Sequence, residues 1–323
     1  MILQLPGPIS AQKWCRSQVS AGNSIGYVPT MGALHDGHLS LVRRAVAEND
    51  VVCVSIFVNP LQFGDSSDYE HYPRDIKKDT QLLHDVGCHM VFVGTLEQFF
   101  PEADQENIRL LKPGRFAEGL EGESRPGHFS GVSTIVDRLF HYVQPHRAYF
   151  GEKDFQQTLV VKDLVKNARL PEIVVCPTSR EPSGLARSSR NVLLSHGDRE
   201  EAACIYQSLI AARSAWQRGI RDADSLRNII LNSLQSSEAE IEYIDLRDPD
   251  NWDSESPRGN MQRAQALVAV KFGDVRLIDN LRLDSAEVEN QPKSSDSEDL
   301  YNNRSHSKLA TNRLSMLQPL GSY

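Results

Sequence analysis

The sequence predicts an α/β fold: a Rossmann-like, doubly wound parallel sheet, a smaller α+β C-terminal domain and a disordered polar tail. Short β-rich runs alternate with helical patterns through residues 20–180, which is typical of parallel βαβ units. Two amphipathic helical patterns then precede three short strand patterns. The last part of the chain has few large apolar residues and many Ser, Asn and charged ones. We therefore divide the 323 residues into 1–180, 181–283 and 284–323.

Short apolar runs of three to eight residues mark the strands of the first domain, and longer amphipathic patterns mark its helices. The predicted strands are Ile25–Val28, Val51–Val58, Met90–Val93, Ala148–Phe150 and Ile173–Cys176. The predicted helices are Leu39–Glu48, Ile76–Val86, Val132–Val143 and Phe155–Asn167. In the second domain we predict helices at Asp198–Arg218 and Ala223–Leu234 and strands at Ile241–Leu246, Ala266–Val270 and Arg276–Asp279.

Composition narrows the function classes. The net charge of −8 argues against a nucleic-acid surface as the main partner. The five scattered cysteines form no CxxC pair, which indicates a reducing compartment, and Cys53 is expected to be a small buried apolar residue. No apolar stretch approaches the roughly 20 residues that span a bilayer, and the N-terminus lacks a basic region with a long apolar core. We expect a cytoplasmic enzyme without membrane contact.

The segment Val28–His38, VPTMGALHDGH, leaves a strand and opens a helix, which is the geometry of a nucleotide site. His35 and His38 are three residues apart, so both imidazoles can face phosphate oxygens from one helical turn. A zinc pair or two surface histidines are the alternatives. Zinc is disfavoured because HExxH spacing and further ligands nearby in sequence are absent.

Four further segments carry polar side chains at strand ends or in loops. SIFVNPLQF presents Asn59 and Gln62, whose amides can recognise hydroxyl and carboxylate groups, although Asn59 alone is more simply a turn cap. YFGEKDFQQ places Lys153 where it can meet phosphate, and only one of its two glutamines can face the cleft. RPGHFSGV is a candidate mobile cover. REPSGLARSSRN brings arginines and serines suited to a lid over ATP, or is only a polar linker.

These segments, with YPRDIKKD, SSRN and VRLIDN, occur in the order and spacing of pantothenate synthetases, and the chain resembles that family over residues 20–283. The resemblance implies a homodimer with a magnesium–ATP substrate, in which ATP, pantoate and β-alanine are the small-molecule partners. It implies catalytic roles for His38, His35, Lys153 and Arg190, with pantoate and β-alanine bound at Gln62, Gln157 and Asn59, and Asp79 as a magnesium neighbour. It implies an ATP site formed by Met31, Gly32, Ala33, Leu34, His35, Asp36, Gly37, His38, Gly151, Glu152, Lys153, Asp154, Arg187, Ser188, Ser189 and Arg190.

Two residues depart from the family pattern. Arg187 replaces the apolar residue that usually precedes SSRN, and Ser183 replaces the usual Asp of a DGLA run. The expected reaction is attack of the pantoate carboxylate on the α-phosphorus of ATP, followed by attack of the β-alanine amine on the pantoyl adenylate, with release of pyrophosphate and AMP. The rival hypotheses are another nucleotidyltransferase with the HxGH motif and a non-enzymatic nucleotide-binding scaffold.

Overall fold

A computed structural model gives the fold and describes residues 2–64, 66–103, 107–167, 171–235 and 237–285. The strands are β1 (Leu3–Leu5), β2 (Ile25–Thr30), β3 (Val51–Ile56), β4 (Met90–Val93), β5 (Arg147–Gly151), β6 (Glu172–Cys176), β7 (Glu240–Arg247), β8 (Gln265–Phe272) and β9 (Val275–Arg282). The helices are α1 (Pro8–Ser20), α2 (Asp36–Glu48), α3 (Ser66–His71), α4 (Ile76–Asp85), α5 (Leu96–Phe99), α6 (Glu121–Ser124), α7 (His128–Val143), α8 (Phe155–Val165), α9 (His196–Glu201), α10 (Ala203–Gln217) and α11 (Ala223–Leu234).

The first six strands form one parallel sheet in the order β1-β4-β3-β2-β5-β6. Every residue of β3 is buried, because this strand lies inside the sheet with both faces covered. The predicted α/β class, with its parallel sheet and its smaller second sheet, is confirmed. Five strands were predicted for this sheet, but it has six. The additional strand is β1, an edge strand of three residues that is too short and too exposed to leave an apolar run in the sequence.

The second sheet is antiparallel, in the order β7-β8-β9, and α10 and α11 pack against it. The single predicted helix Asp198–Arg218 is divided into α9 and α10 at Ala202. At this residue the Ile205 amide bonds the Ala202 carbonyl, an i to i+3 bond that tightens the turn. The apolar periodicity continues across the tightened turn, so the sequence pattern did not reveal the break.

The two sheets pack against separate clusters of apolar side chains. The second sheet has its own cluster, built around Leu209, Ile230 and Val268, while two clusters cover the faces of the parallel sheet. The division at residue 180 stays a prediction, and the predicted tail lies outside the described residues beyond Ser285. The five cysteines are free, and Cys53 is fully buried. In the part of the chain that the structure describes, no helix is both long and apolar enough to cross a membrane.

Candidate active site

A cleft opens at the carboxyl ends of β2 and β5, where the strand order of the parallel sheet reverses. Ligands of open α/β sheets bind at this topological position. Most of the predicted site residues line the cleft together: Met31, His35, Gly37, His38, Asn59, Gln62, Gly151, Lys153, Asp154, Gln157, Arg187, Ser188, Ser189 and Arg190. Six predicted residues do not line it: Gly32, Ala33, Leu34, Asp36, Asp79 and Glu152.

Asp79 organises the turn that follows β2. Its two carboxylate oxygens accept hydrogen bonds from the backbone amides of Ala33 and Leu34, at 2.9 and 2.8 Å. The turn requires positive φ at Gly32 (83°) and Ala33 (51°), and a Cβ at Gly32 would lie 2.9 Å from an Asp79 oxygen. Burial raises the pKa of Asp79, although the two amides oppose the shift. The carboxylate thus fixes the path of the chain into α2.

His35 and His38 lie side by side, with ring centroids 4.1 Å apart. Burial, His38 and the cations Lys153 and Arg187 lower the pKa of His35 to about 2, and burial lowers the pKa of His38 to about 4. Both rings are therefore neutral near pH 7. His35 Nδ1 caps α2 by accepting from the Gly37 amide, which leaves its Nε2–H free to donate. His38 Nδ1 is buried without a hydrogen-bond partner among the described residues.

The amide end of the cleft is built around Gln62. Asn59 is 1% exposed and donates to Gln62 Oε1 and to the Gly131 carbonyl, while its own Oδ1 accepts from the Leu61 amide. Gln62 Nε2 contacts Met31 Sδ at 3.0 Å. A Cβ on Gly131 would lie 2.0 Å from the Leu61 carbonyl oxygen, so glycine permits this close approach of α7. Asn59 caps the turn and orients Gln62.

The other predicted amide that lines the cleft is Gln157. Its neighbour Gln156 is buried and donates to the carbonyls of Phe116, Glu118 and Gly119, so its side chain serves the backbone. Gln157 is half-buried and has no hydrogen-bond partner among the described residues. Its amide is thus available to a ligand.

Lys153 follows β5 and its ammonium lies 3.5 Å from Asp154 Oδ1. Burial alone would raise the pKa of Asp154, but Lys153 and Arg190 outweigh it and the pKa is lowered. The Lys153 side chain is 19% exposed, so its charge faces the cleft with little screening by water. An ammonium in this position suits phosphate oxygens.

Three polar contacts connect the segment from Arg187 to Arg190 with residues in or next to α2 and α3. Arg187 pairs with Asp36 at 3.4 Å, and Arg190 pairs with Asp68 at 2.9 Å. Ser189 Oγ lies 3.3 Å from Tyr72 Oη. The guanidinium of Arg187 is thus on the surface of the cleft next to the start of α2. It does not fill an apolar slot.

Arg125 and His128 also line the cleft. For the segment that contains them, RPGHFSGV, the sequence predicted only a mobile cover. His128 Nδ1 donates to the Gln62 carbonyl at 2.9 Å, so its Nε2 can accept from Arg125 Nη1 at 3.5 Å. Arg125 makes no ion pair within the described residues. Glu121, a carboxylate in the same wall, is bound by Arg276 and Tyr243. The guanidinium of Arg125 therefore lies beside Gln62 without a carboxylate partner among the described residues.

Comparison with known proteins gives the same family over nearly all of the described chain. The family model of pantoate-beta-alanine ligase matches residues 8–282. A pantothenate synthetase from Gluconobacter oxydans (strain 621H) is 47% identical over 270 residues, which cover 83% of this chain and 96% of that protein. One from Thermotoga neapolitana is 46% identical over 263 residues, covering 80% and 91% of the two chains.

Solved structures agree with the sequence matches. The crystal structure of pantothenate synthetase from Thermus thermophilus superposes with a TM-score of 0.79 at 40% identity, covering 87% of this chain and 99% of that one. Pantoate-beta-alanine ligase from Francisella tularensis, complexed with beta-gamma ATP and beta-alanine, gives a TM-score of 0.71 at 36% identity, covering 88% and 99%. The chain belongs to the pantoate-beta-alanine ligase family.

Proposed function

We propose that this protein condenses pantoate with β-alanine in an ATP-dependent reaction that passes through pantoyl adenylate. The observation that carries the proposal is the pairing of two kinds of group in one cleft. Histidine N–H donors and cations occupy the end formed by α2, Lys153 and the Arg187–Arg190 segment, and neutral amides occupy the end around Gln62. The first end suits a triphosphate, and the second suits a small hydroxy acid.

In the first step, an oxygen of the pantoate carboxylate attacks the α-phosphorus of ATP, and the bond from that phosphorus to the pyrophosphate oxygen breaks. Gln62 and Gln157 hold pantoate for this attack. Lys153 and Arg190 offset the charge that develops on the phosphates, and His35 and His38 supply neutral N–H donors. The contribution of the protein is positioning and electrostatic stabilisation, because it forms no covalent bond to either substrate.

In the second step, the β-alanine amine attacks the acyl carbon of the adenylate, so a C–N bond forms while AMP and a proton leave. The far carboxylate of β-alanine needs a cation close to the reacting carbon. Arg125 fits this requirement, since it lies against the Gln62 backbone at 3.4 Å and is bonded only to neutral groups among the described residues. We assign the β-alanine carboxylate to Arg125.

We propose that magnesium enters this site with ATP. The described residues contain no group of three His, Cys, Asp or Glu side chains that would hold a metal ion. Asp79 fits poorly as a direct ligand, because it is 1% exposed and both its oxygens accept backbone amides. Octahedral magnesium is commonly held by substrate phosphates with few protein ligands. A homodimer and a cytoplasmic location remain predictions.

The deciding experiment measures AMP in the presence of ATP with pantoate, with β-alanine, and with both. We expect AMP release only with both substrates, and exchange of labelled pyrophosphate into ATP with pantoate alone. An HxGH nucleotidyltransferase would release pyrophosphate without AMP. A nucleotide-binding scaffold would release neither product.

A further inference from the structure

One buried side chain of the second sheet, Asn280, lines the cleft. Asn280, on β9, is 4% exposed, and its Nδ2 donates to the carbonyls of Glu152 and Lys153, at 2.9 and 2.8 Å. Its Oδ1 accepts from Gln265 Nε2 on β8 at 2.7 Å. Both N–H groups of the amide are therefore used on one short segment of backbone, and Gln265 fixes which end of the amide faces that segment.

The segment that Asn280 holds carries the ammonium of the cleft. Residues 152–154 form a single 3₁₀ turn between β5 and α8, and Asp154, at the start of α8, makes no side-chain cap. A turn without such a cap depends on contacts from elsewhere to set its position. The two bonds from Asn280 fix the backbone at Lys153 itself, one residue before Asp154.

A buried ion pair braces β9 at this point. Arg180 donates to both oxygens of Asp279, at 2.6 and 3.1 Å, and both side chains are 2% exposed. Arg180 also lies 3.8 Å from the centroid of the Tyr206 ring. Charges this deeply buried are held in one geometry, because separating them would leave an unpaired charge away from water. The neighbouring Asn280 is thus presented to Lys153 from a rigid support.

We propose that Asn280 is a positioning residue for Lys153. Its amide holds the Lys153 backbone so that the ammonium meets the phosphates of ATP during adenylation. The proposal rests on the proposed function, in which Lys153 offsets phosphate charge. It also gives a role to the VRLIDN motif, which the reaction residues alone leave unexplained.

The test is a double-mutant cycle on pantoate-dependent pyrophosphate exchange. Asn280→Ala removes the tether, and we expect the exchange rate to fall by about 10- to 100-fold, the scale of a misplacement of about 1 Å. The Michaelis constant for pantoate should change less than the exchange rate, because Gln62 lies on a segment that Asn280 does not contact. In a Lys153→Met background the same Asn280→Ala change should have little further effect, since it acts through Lys153.

Leu277→Ala is the matched control. Leu277 is a buried residue of the same strand that faces the apolar cluster, so its loss lowers stability without touching residues 152–154. We expect a lower melting temperature and a normal exchange rate. Asn280→Asp, which keeps the volume but turns an oxygen toward the two carbonyls, should reduce exchange at least as far as Asn280→Ala.

Full additivity of the Asn280 and Lys153 changes would overturn the proposal, as would an equal loss of exchange in Leu277→Ala. If the wild-type chain gave no pantoate-dependent exchange, the proposed function would fail first. The same cycle, read on the dissociation constant for ATP, would then decide on Asn280. If the effect of Asn280→Ala on the dissociation constant for ATP were the same with and without the Lys153 side chain, the proposed role of Asn280 would also be overturned.

Discussion

The buried side chain of His128 makes the free energy of unfolding depend on pH. It is 7% exposed, and burial together with Arg125 lowers its pKa to about 4, against about 6.5 in an unfolded chain. A histidine with a lowered pKa stabilises the fold only while it is neutral. Its contribution is therefore complete above pH 6.5 and is lost as the pH falls toward 4. Between pH 7 and pH 5 the difference is about 2 kcal/mol for this one residue.

The assay is denaturant unfolding of the wild type and of His128→Asn at both pH values. Asparagine can still donate to the Gln62 carbonyl, but it cannot titrate. The loss of unfolding free energy between pH 7 and pH 5 should therefore be about 2 kcal/mol smaller in the variant. His196→Asn is the control because its side chain is 89% exposed. An identical pH dependence in the wild type and His128→Asn would refute the reasoning.

Three further predictions concern the cleft. His38→Ala should retain the far-UV circular dichroism of the wild type and lose about a hundredfold or more in adenylation rate; a folded variant with normal adenylation would remove His38 from the site. Arg187→Leu should raise the Michaelis constant for ATP and leave that for pantoate unchanged. Its exposed pair with Asp36 contributes at most about 1 kcal/mol, so a markedly more stable variant with tighter ATP binding would contradict this role. Arg125→Leu should raise the Michaelis constant for β-alanine by about tenfold or more without slowing pyrophosphate exchange, and slowed exchange would instead assign Arg125 to ATP or pantoate.

The fold could be predicted because its buried strands leave a strong apolar signal. β3 is buried along its whole length, and its sequence VVCVSI is apolar except for Ser55. β1 left no such signal, since two of its three residues are exposed. Its place in the sheet comes from pairing with β4, more than eighty residues away in the sequence, as the register of Leu3 with Met90 shows.

The site was predictable where it depends on short motifs at strand ends. His35, Gln62 and Lys153 each follow a strand, and parallel strands bring their carboxyl ends together. The contacts that orient these residues were not predictable. Asp79 is 45 residues from Leu34, and Asn280 is 127 residues from Lys153, so no local pattern links either pair. Long-range hydrogen bonds of this kind follow from tertiary packing alone.

The bond from Asn280 to Lys153 also has a consequence for synthesis on the ribosome. β9 is the last strand of the described chain, and it follows every other residue that lines the cleft. A nascent chain that has emerged only as far as β8 already contains the whole parallel sheet and the segment from Arg187 to Arg190. Domains fold as they emerge, N-terminal parts first. Such a chain can close its first sheet early, whereas the backbone under Lys153 gains its tether only when β9 leaves the exit tunnel.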